Sequence, residues 1–289
     1  MQVYQRDRTL EQSSEIKWIE QINQALEENH FCLYYQSIAP TNPDLSHFQE
    51  HYEVLLRLRD RTTGKIIPPM TFIPLAERYN LMQLIDRWVI TTLFASQGAH
   101  YRQTYADCQK SGGFCLYTIN LSGATINDDR FINFLHEQIE LYQIPPQVLC
   151  FGITETVAIT NLTKAVALIN EFKQLGCSFA LDDFGMGMSS FGYLKKLPVD
   201  YLKIDGSFIK DILADSTDLA MTEAINQVGH VMGLKTIAEF VENNGILAKI
   251  RELGVDYAQG YGIATPRPLV IPQSNLIPTL VMEPVVSSK

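Results

Sequence analysis

The sequence has little that would direct it to a membrane or to DNA. No apolar run approaches the roughly 18 residues that a membrane-spanning helix needs, and the first residues are polar and charged, unlike a signal peptide. The 289 residues include 23 Lys and Arg against 32 Asp and Glu, a formal net charge of −9. Non-specific DNA binding requires cations that neutralise phosphates, so this charge disfavours it. We therefore expect a soluble, cytoplasmic domain without DNA or membrane contacts; a membrane anchor would belong to other domains of a longer protein.

Cysteine is scarce and shows no pairing pattern. The five residues, Cys32, Cys108, Cys115, Cys150 and Cys177, are odd in number and contain no CxxC pair. All except Cys108 lie in or beside apolar, strand-like segments, where cysteine usually serves as a small buried hydrophobic side chain. The pattern predicts free thiols and a reducing compartment rather than disulfides or metal ligation.

Short apolar segments alternate with amphipathic stretches along the chain. Eight candidate strands lie at 31–38, 52–58, 114–122, 147–154, 177–183, 200–205, 234–239 and 256–263. Helical patterns lie at 15–29, 129–142, 163–174, 217–232 and 245–253. Such alternation indicates an α/β protein with a mainly parallel sheet, and eight units favour a (β/α)8 TIM-like barrel. A doubly wound open sheet is the structural alternative.

The first two strand segments are joined differently from the others. Only thirteen residues (39–51) connect them, and Pro40, Asn42 and Pro43 interrupt any helix there. A parallel crossover usually needs a helix, so we predict an antiparallel hairpin and one reversed strand in the barrel. We interpret 1–14 as a lead-in or linker, 15–270 as the barrel domain and the proline-containing 271–289 as a C-terminal tail.

Polar side chains are concentrated where the predicted strands end, which is where barrel enzymes place their active sites. They are Asn120, Glu155, Asp182, Asp183, Lys203, Asp205, Glu239 and Gln259, joined by Glu53 and Arg57 on one face of the hairpin. Taken singly, each has a simpler interpretation, such as a helix N-cap for an acidic residue or a snorkelling lysine at a strand edge. As a set, they converge on one mouth of the barrel.

Burying several carboxylates close together costs free energy unless cations neutralise them. The set therefore indicates a metal-binding site. Oxygen donors of the Asp, Glu and Asn type suit Mg²⁺, Mn²⁺ or Ca²⁺ better than zinc. Two such ions activate water and stabilise a phosphoryl transition state. Arg57 has the planar guanidinium that binds phosphate, and Lys203 is placed to orient the attacking water. These residues predict a metal-dependent phosphodiester site.

The chain resembles the EAL domain, the bacterial module that hydrolyses cyclic di-GMP to linear pGpG. The matching segments are YYQSI (34–38), EVLLR (53–57), PPMTFIPLAE (68–77), INLS (119–122), ITET (153–156), ALDDFGMGMSSFGYLKKLPVDYLKIDGSF (180–208), TIAEFVE (236–242) and AQGYGIATPRPL (258–269). The resemblance covers about residues 15–270 and implies a barrel with one antiparallel strand, in agreement with the predicted hairpin. It also implies a Mg²⁺- or Mn²⁺-dependent, cyclic-guanylate-specific phosphodiesterase that forms a homodimer. The lead-in MQVYQRD resembles the segment that follows a GGDEF domain, which implies attachment to upstream signalling domains.

The resemblance implies roles for individual residues. The metal ligands would be Glu53, Asn120, Asp182, Asp183 and Glu242. Glu239 would be the general base and Lys203 would lie beside the catalytic water. Cyclic di-GMP would be contacted by Gln36, Arg57, Asp205 and Gln259. Glu155 would anchor the loop at 183–190, which is coupled to dimerisation in similar proteins.

One position departs from the family pattern. The fourth strand of the family reads E-I/L-T-E, with the first glutamate as a metal ligand, whereas this chain has Gly152 there. Water can fill the coordination position but cannot supply the missing charge, so we expect one of two ions to be held weakly and hydrolysis to be slowed. Gly152 also predicts a small polar void near the metals. Alternatively, water or a neighbouring carboxylate compensates for Gly152 and the substitution is harmless. The alternative functions are an inactive cyclic di-GMP receptor and, more distantly, a scaffold that binds no nucleotide.

Overall fold

The computed structural model of the chain describes residues 2–42, 48–186 and 192–270. Its strands are β1 Phe31–Pro40, β2 Phe48–Arg59, β3 Ile66–Ile67, β4 Phe114–Asn120, β5 Leu149–Thr154, β6 Ser178–Phe184, β7 Tyr201–Ile204, β8 Lys235–Ala238, β9 Tyr257–Gln259 and β10 Arg267–Pro268. Its α-helices are α1 Gln2–Glu27, α2 Ile73–Arg78, α3 Met82–Ser111, α4 Gly123–Ile126, α5 Asp129–Leu141, α6 Glu155–Thr160, α7 Leu162–Leu175, α8 Gly206–Lys210, α9 Ser216–Val231 and α10 Asn244–Glu252.

The sheet closes into an eight-stranded barrel in which β1 is the reversed strand. From β2 the order continues through β4, β5, β6, β7, β8 and β9, each parallel to its neighbour. β1 pairs antiparallel with β2 on one side and with β9 on the other. The predicted (β/α)8 barrel with one antiparallel strand is therefore confirmed, and the open-sheet alternative is wrong because β1 joins both edges. The short β3 and β10 pair with β2 and β1 outside the barrel.

The two longest helices differ most from the sequence-based expectation. α1 begins at Gln2, so the predicted lead-in forms the first half of a helix that was expected to begin at residue 15. α3, with 30 residues, has no counterpart among the predicted helical patterns. Trp88, Thr92, Phe94 and Tyr101 are among its many buried residues, and they point in several directions around its axis. A helix covered on more than one side lacks the single apolar face that reveals helices in a sequence.

Every second side chain of a barrel strand faces the interior, and these inward side chains form two layers. The lower layer is an apolar cluster of Ile38, Leu116, Cys150, Ala180, Tyr201, Ile237 and Tyr257. Two residues further along most of these strands, on the same inward face, the side chains are polar. The outward faces pack against the helices in the larger core cluster. The apolar layer thus supports polar side chains at the mouth where the parallel strands end.

All five cysteines are free thiols, as predicted, and all except the half-buried Cys32 are buried. Burial raises the pKa of Cys177 to about 12, which makes its thiolate scarce at neutral pH. Among the described residues, no helix is both long and apolar enough to cross a membrane. The predicted C-terminal tail at 271–289 lies outside the described residues.

The opposite end of the barrel is stabilised by the carboxylate of Asp256. Its oxygens lie 2.8 Å from Lys235 Nζ and 2.8 Å from His230 Nε2, and it accepts a 2.9 Å hydrogen bond from the Thr236 N–H. Burial favours the neutral acid, but the hydrogen bonds outweigh it and hold the pKa of Asp256 below its usual value. The carboxylate therefore contributes stability above the unfolded-state pKa of about 4, which is lost as the pH falls through the folded-state pKa.

We expect Asp256→Asn to lower the free energy of unfolding at pH 7 by about 2 kcal/mol, the scale of hydrogen bonds to a charged group. The difference from the wild type narrows below about pH 4, because only the wild type then loses a charge. Urea unfolding between pH 3 and pH 7 measures both effects. Asp211→Asn, at an exposed position, is the matched control. A difference that does not vary with pH would contradict the assignment to the carboxylate.

Candidate active site

Lys203 lies at the centre of the barrel mouth. It is on β7, two residues beyond Tyr201 of the apolar layer, and only 1% of its side chain is exposed. Its Nζ lies 2.9 Å from Asp182 Oδ2, 2.8 Å from Glu239 Oε1 and 3.4 Å from Glu53 Oε2. One ammonium therefore joins carboxylates from three strand ends, which the sequence separates by up to 186 residues (239 − 53).

Glu53 has donors on both of its oxygens. Oε1 accepts a 2.5 Å hydrogen bond from Asn120 Nδ2, and Oε2 accepts a 2.6 Å bond from Gln259 Nε2. Gln259 also lies 3.3 Å from Gln36 Oε1, and Gln36 Nε2 donates to the Ala264 carbonyl at 2.9 Å. Burial favours the neutral acid, but Lys203 and the amide donors hold the pKa of Glu53 below its usual value. Glu53 is therefore an ionised acceptor.

Asp182, Asp183 and Glu239 form a group with the geometry of a metal site. One ligand oxygen from each lies within 4.8 Å of the others. Adjacent residues of a strand normally face opposite sides, but Asp183 has a φ of +54° and the β6–β7 register shifts beyond Leu181. Asp is one of the residues that tolerate this left-handed conformation. The local turn thus brings two consecutive carboxylates to the mouth.

The site carries more negative than positive charge. Burial and the charge of Asp182 raise the pKa of Glu239 to about 8, against the opposing effect of Lys203. Burial and Asp182 likewise raise the pKa of Asp183 to about 6. For Lys203, burial disfavours the ammonium, but the surrounding carboxylates raise its pKa well above the usual value. Divalent cations with oxygen ligands would neutralise this excess, so the donor set fits Mg²⁺ or Mn²⁺.

Gly152 is buried on β5 between Asn120 of β4 and Ala180 of β6. A Cβ at this glycine would lie 2.2 Å from Asn120 Oδ1. The small void predicted beside Gly152 is therefore wrong: the Asn120 amide occupies that space while its Nδ2 donates to Glu53. Two predicted metal ligands, Asn120 and Glu53, are thus hydrogen-bonded to each other beside Gly152.

Three further predicted residues lie near strand ends or on the loops that follow them. Asp205 caps α8 through a 2.8 Å bond from the Ser207 N–H, and its charge helps to raise the pKa of Asp183. Arg57 donates to the Leu56 carbonyl at 2.8 Å and its Cζ lies 5.6 Å from the Tyr34 ring centroid. Glu242 is exposed on the loop after β8 and does not belong to the described carboxylate group with metal-site spacing.

Glu155 holds both sides of the segment predicted as a loop. Its Oε2 accepts a 2.9 Å hydrogen bond from the Gly185 N–H, and its Oε1 accepts a 2.5 Å bond from the Tyr193 hydroxyl. The residue itself is 1% exposed. Residues 187–191 between these contacts lie outside the described residues. Tyr193 was not singled out from the sequence, because a tyrosine in a polar segment carries no signal of its partner.

Asp86 is a second residue that sequence reasoning missed. It lies on α3 and is buried, and its Oδ2 accepts a 2.9 Å hydrogen bond from the Ser122 N–H. Ser122 begins the turn two residues after Asn120, so Asp86 fixes the end of β4. Burial raises the pKa of this carboxyl despite the hydrogen bonds. No signal in the sequence links α3 to this turn, since the two are 36 residues apart (122 − 86).

The arrangement of these residues can be compared with known proteins. The EAL domain family model matches residues 19–266. This chain belongs to the EAL domain family. It is 41% identical over 88% of its length to the cyclic di-GMP phosphodiesterase PdeB of Shewanella oneidensis, and 35% identical over 90% to PdeF of Escherichia coli. It spans only 28% and 33% of those two proteins.

Solved structures of this family have the same fold. The structure of the MucR phosphodiesterase in complex with c-di-GMP matches 87% of this chain and 98% of its own, with 29% identity and a TM-score of 0.77. The FimX EAL domain of Pseudomonas aeruginosa, bound to c-di-GMP, matches 86% and 96% with 31% identity and a TM-score of 0.75. Both proteins were solved with the same cyclic dinucleotide.

Proposed function

We propose that this EAL domain is a metal-dependent phosphodiesterase that hydrolyses cyclic di-GMP to linear pGpG. The observation that carries the proposal is the cluster around Lys203, in which Asp182, Asp183 and Glu239 have the spacing of a metal site. The phosphodiesterase relatives and the c-di-GMP complexes of the family support the substrate. We also propose a homodimer attached to upstream signalling domains, with 1–14 as linker, 15–270 as barrel and 271–289 as tail.

The residues divide into those that hold metal and those that hold substrate. Mg²⁺ or Mn²⁺, bound by Asp182, Asp183, Glu53 and Asn120 with a more distant contribution from Glu242, would supply an activated water and neutralise phosphate charge. Glu239, whose raised pKa suits proton transfer near neutral pH, accepts the proton of the attacking water. Lys203 orients that water and balances the carboxylates. Gln36, Gln259, Asp205 and Arg57 surround the dinucleotide.

A receptor without turnover is the second candidate. The observation in its favour is Gly152, which lacks the carboxylate of the family pattern, while Asn120 fills the vacated space and donates to Glu53. The proposed substrate residues Gln36 and Arg57 are not among the proposed metal ligands, so binding can persist without hydrolysis.

We expect purified protein with Mn²⁺ to convert cyclic di-GMP to pGpG, and Glu239→Gln to lower the rate at least 100-fold, the usual contribution of a general base. Chromatography of the nucleotides measures turnover, and calorimetry measures binding. EDTA stops turnover, and Glu137→Gln, at an exposed position on α5, leaves it unchanged. Binding without any turnover would favour the receptor, and absence of both would contradict the proposed function.

A further inference from the structure

A buried carboxylate on α3 has hydrogen-bond donors but no cation to balance its charge. Only 6% of Asp86 is exposed, and among the described residues its carboxylate forms no ion pair. The adjacent Arg87 pairs with Asp128 instead, at 3.1 Å. Burial of an unpaired carboxylate costs free energy that an apolar residue of similar size avoids. The presence of Asp86 here is therefore explained by what it binds and not by charge balance.

The group that Asp86 binds is the backbone at the end of β4. Its Oδ2 accepts a 2.9 Å hydrogen bond from the N–H of Ser122, which is the N-cap of α4. A carboxylate is a stronger acceptor for such a bond than a neutral group. The preceding N–H, that of Leu121, donates to the Gly152 carbonyl at 2.9 Å. The two N–H groups that follow Asn120 are thus both held, one by β5 and one by Asp86.

Asn120 depends on this backbone for its position. It is the last residue of β4 and is exposed at the barrel mouth, so packing restricts its side chain little. Its Nδ2 donates to Glu53 at 2.5 Å, and its Oδ1 lies in the space beside Gly152. Gly152 offers no side chain that would support Asn120 from β5. A shift at the end of β4 would therefore move the Asn120 oxygen relative to the carboxylates of the site.

We propose that Asp86 is a positioning residue for the metal site and that it acts on Asn120 through the turn at Ser122. The inference rests on the proposed function, in which Asn120 is a ligand of Mg²⁺ or Mn²⁺. Asp86 supplies no ligand of its own. Residues that hold a ligand in place contribute to metal affinity, and their loss typically costs about 10- to 100-fold. α3 thereby takes part in a site that is otherwise built from strand ends.

Asp86→Leu lowers the affinity for Mn²⁺ at least fivefold, because the Ser122 N–H loses its acceptor and Asn120 shifts. Calorimetry of Mn²⁺ binding without nucleotide measures this effect independently of turnover. Asp86→Asn keeps an oxygen acceptor for the same N–H and binds Mn²⁺ within about twofold of the wild type. This rescue by an uncharged residue separates the hydrogen bond from a direct attraction between the Asp86 charge and the cation.

Ser122→Pro removes the same hydrogen bond from its other partner. Ser122 has a φ of −77°, which proline adopts, but proline has no N–H to donate. We expect the same loss of Mn²⁺ affinity as in Asp86→Leu. This variant tests the inference independently if Asp86→Leu does not fold. Urea unfolding of every variant shows which of them are folded under the conditions of calorimetry.

Two further variants separate positioning from a general loss of stability. Phe94→Leu alters a buried residue about two turns further along α3, lowers stability and leaves Mn²⁺ affinity unchanged. Asn120→Ala removes the proposed ligand and weakens Mn²⁺ binding. Asp86→Leu in that background causes no further loss, because both substitutions act on one contact.

The outcomes distinguish this inference from the function on which it rests. Unchanged Mn²⁺ affinity in both Asp86→Leu and Ser122→Pro, or in Asn120→Ala, overturns the positioning role. An equal loss in Phe94→Leu or Asp86→Asn, or additive losses in the double variant, also overturns it. All of these results leave the proposed function intact. A wild-type protein that binds no Mn²⁺ overturns the proposed metal-dependent function itself.

Discussion

Gly152→Glu increases the Mn²⁺-dependent rate of cyclic di-GMP hydrolysis at least tenfold. Gly152 is buried at the mouth between Asn120 and Ala180, so a side chain added there projects toward the carboxylate cluster. A glutamate at this position adds an anionic oxygen ligand, which strengthens the binding of a divalent cation. A tenfold gain corresponds to about 1.4 kcal/mol of transition-state stabilisation, a modest contribution for one added metal ligand.

Asn120 must move to admit the new side chain. Its Oδ1 lies 2.2 Å from the position of the added Cβ, closer than any contact allows. Because this atom is the end of a flexible side chain, rotation about the Asn120 χ angles relieves the clash at small cost. The same rotation breaks the hydrogen bond from Asn120 Nδ2 to Glu53 Oε1. Both side chains then become available to a metal.

Matched variants separate the two effects of this substitution. Gly152→Ala displaces Asn120 without adding a ligand, and Gly152→Gln adds a neutral side chain of the same length. We expect neither to exceed the wild-type rate, and only Gly152→Glu to bind more Mn²⁺ in calorimetry. An equal increase in the hydrolysis rate of Gly152→Ala would show that displacement of Asn120, rather than the added negative charge, causes the effect. No gain in any variant would show that position 152 does not limit catalysis.

Lys203→Met, measured in EDTA, lowers the free energy of unfolding by about 3–5 kcal/mol, the range found when one partner of a buried ion pair is removed. Its ammonium is the cation within 3.4 Å of Glu53, Asp182 and Glu239, all of which are buried or nearly so. Methionine fills a similar volume but leaves these carboxylates without their shared counter-charge. In EDTA, protonation of some of these carboxylates relieves their mutual repulsion.

Mn²⁺ reduces the destabilisation in Lys203→Met, because a bound cation neutralises the same carboxylates. Urea unfolding in EDTA and in Mn²⁺ measures the difference. Lys210→Met, at an exposed position on α8, is the control and changes stability by less than about 0.5 kcal/mol in either solution. If Lys203→Met is destabilised equally with and without Mn²⁺, the carboxylates around Lys203 do not form the metal site.

Position 152 and Lys203 both affect the balance of charge at the barrel mouth. The cluster holds Glu53, Asp182, Asp183 and Glu239 around one ammonium, and Gly152 beside it contributes no side chain. A carboxylate at position 152 would increase the repulsion among the others and would also strengthen the binding of a divalent cation. We therefore expect substitutions of Gly152 to affect cyclic di-GMP hydrolysis and cyclic di-GMP binding differently. For this reason, turnover and affinity are measured separately.

The sequence by itself determined the barrel and its reversed strand. Apolar segments of four to eight residues are local signals of strands, and the proline-containing link at 39–51 is too short for a crossover helix. The same pattern predicts which polar residues lie at the barrel mouth, since parallel strands end on one side of the sheet. These residues are Asn120, Asp182, Lys203, Glu239 and Gln259. Family membership follows from motifs in their order along the chain.

Only the tertiary structure decided which of these side chains meet and how. Three features depend on distances between strands and on side-chain rotamers. They are the contacts of Lys203 with three carboxylates, the position of the Asn120 amide beside Gly152, and the left-handed turn at Asp183. The same holds for Asp86, which lies on α3 and accepts a hydrogen bond from the turn after β4. Residues far apart in the chain leave no trace of such contacts in local periodicity, because the contacts form only when the barrel closes.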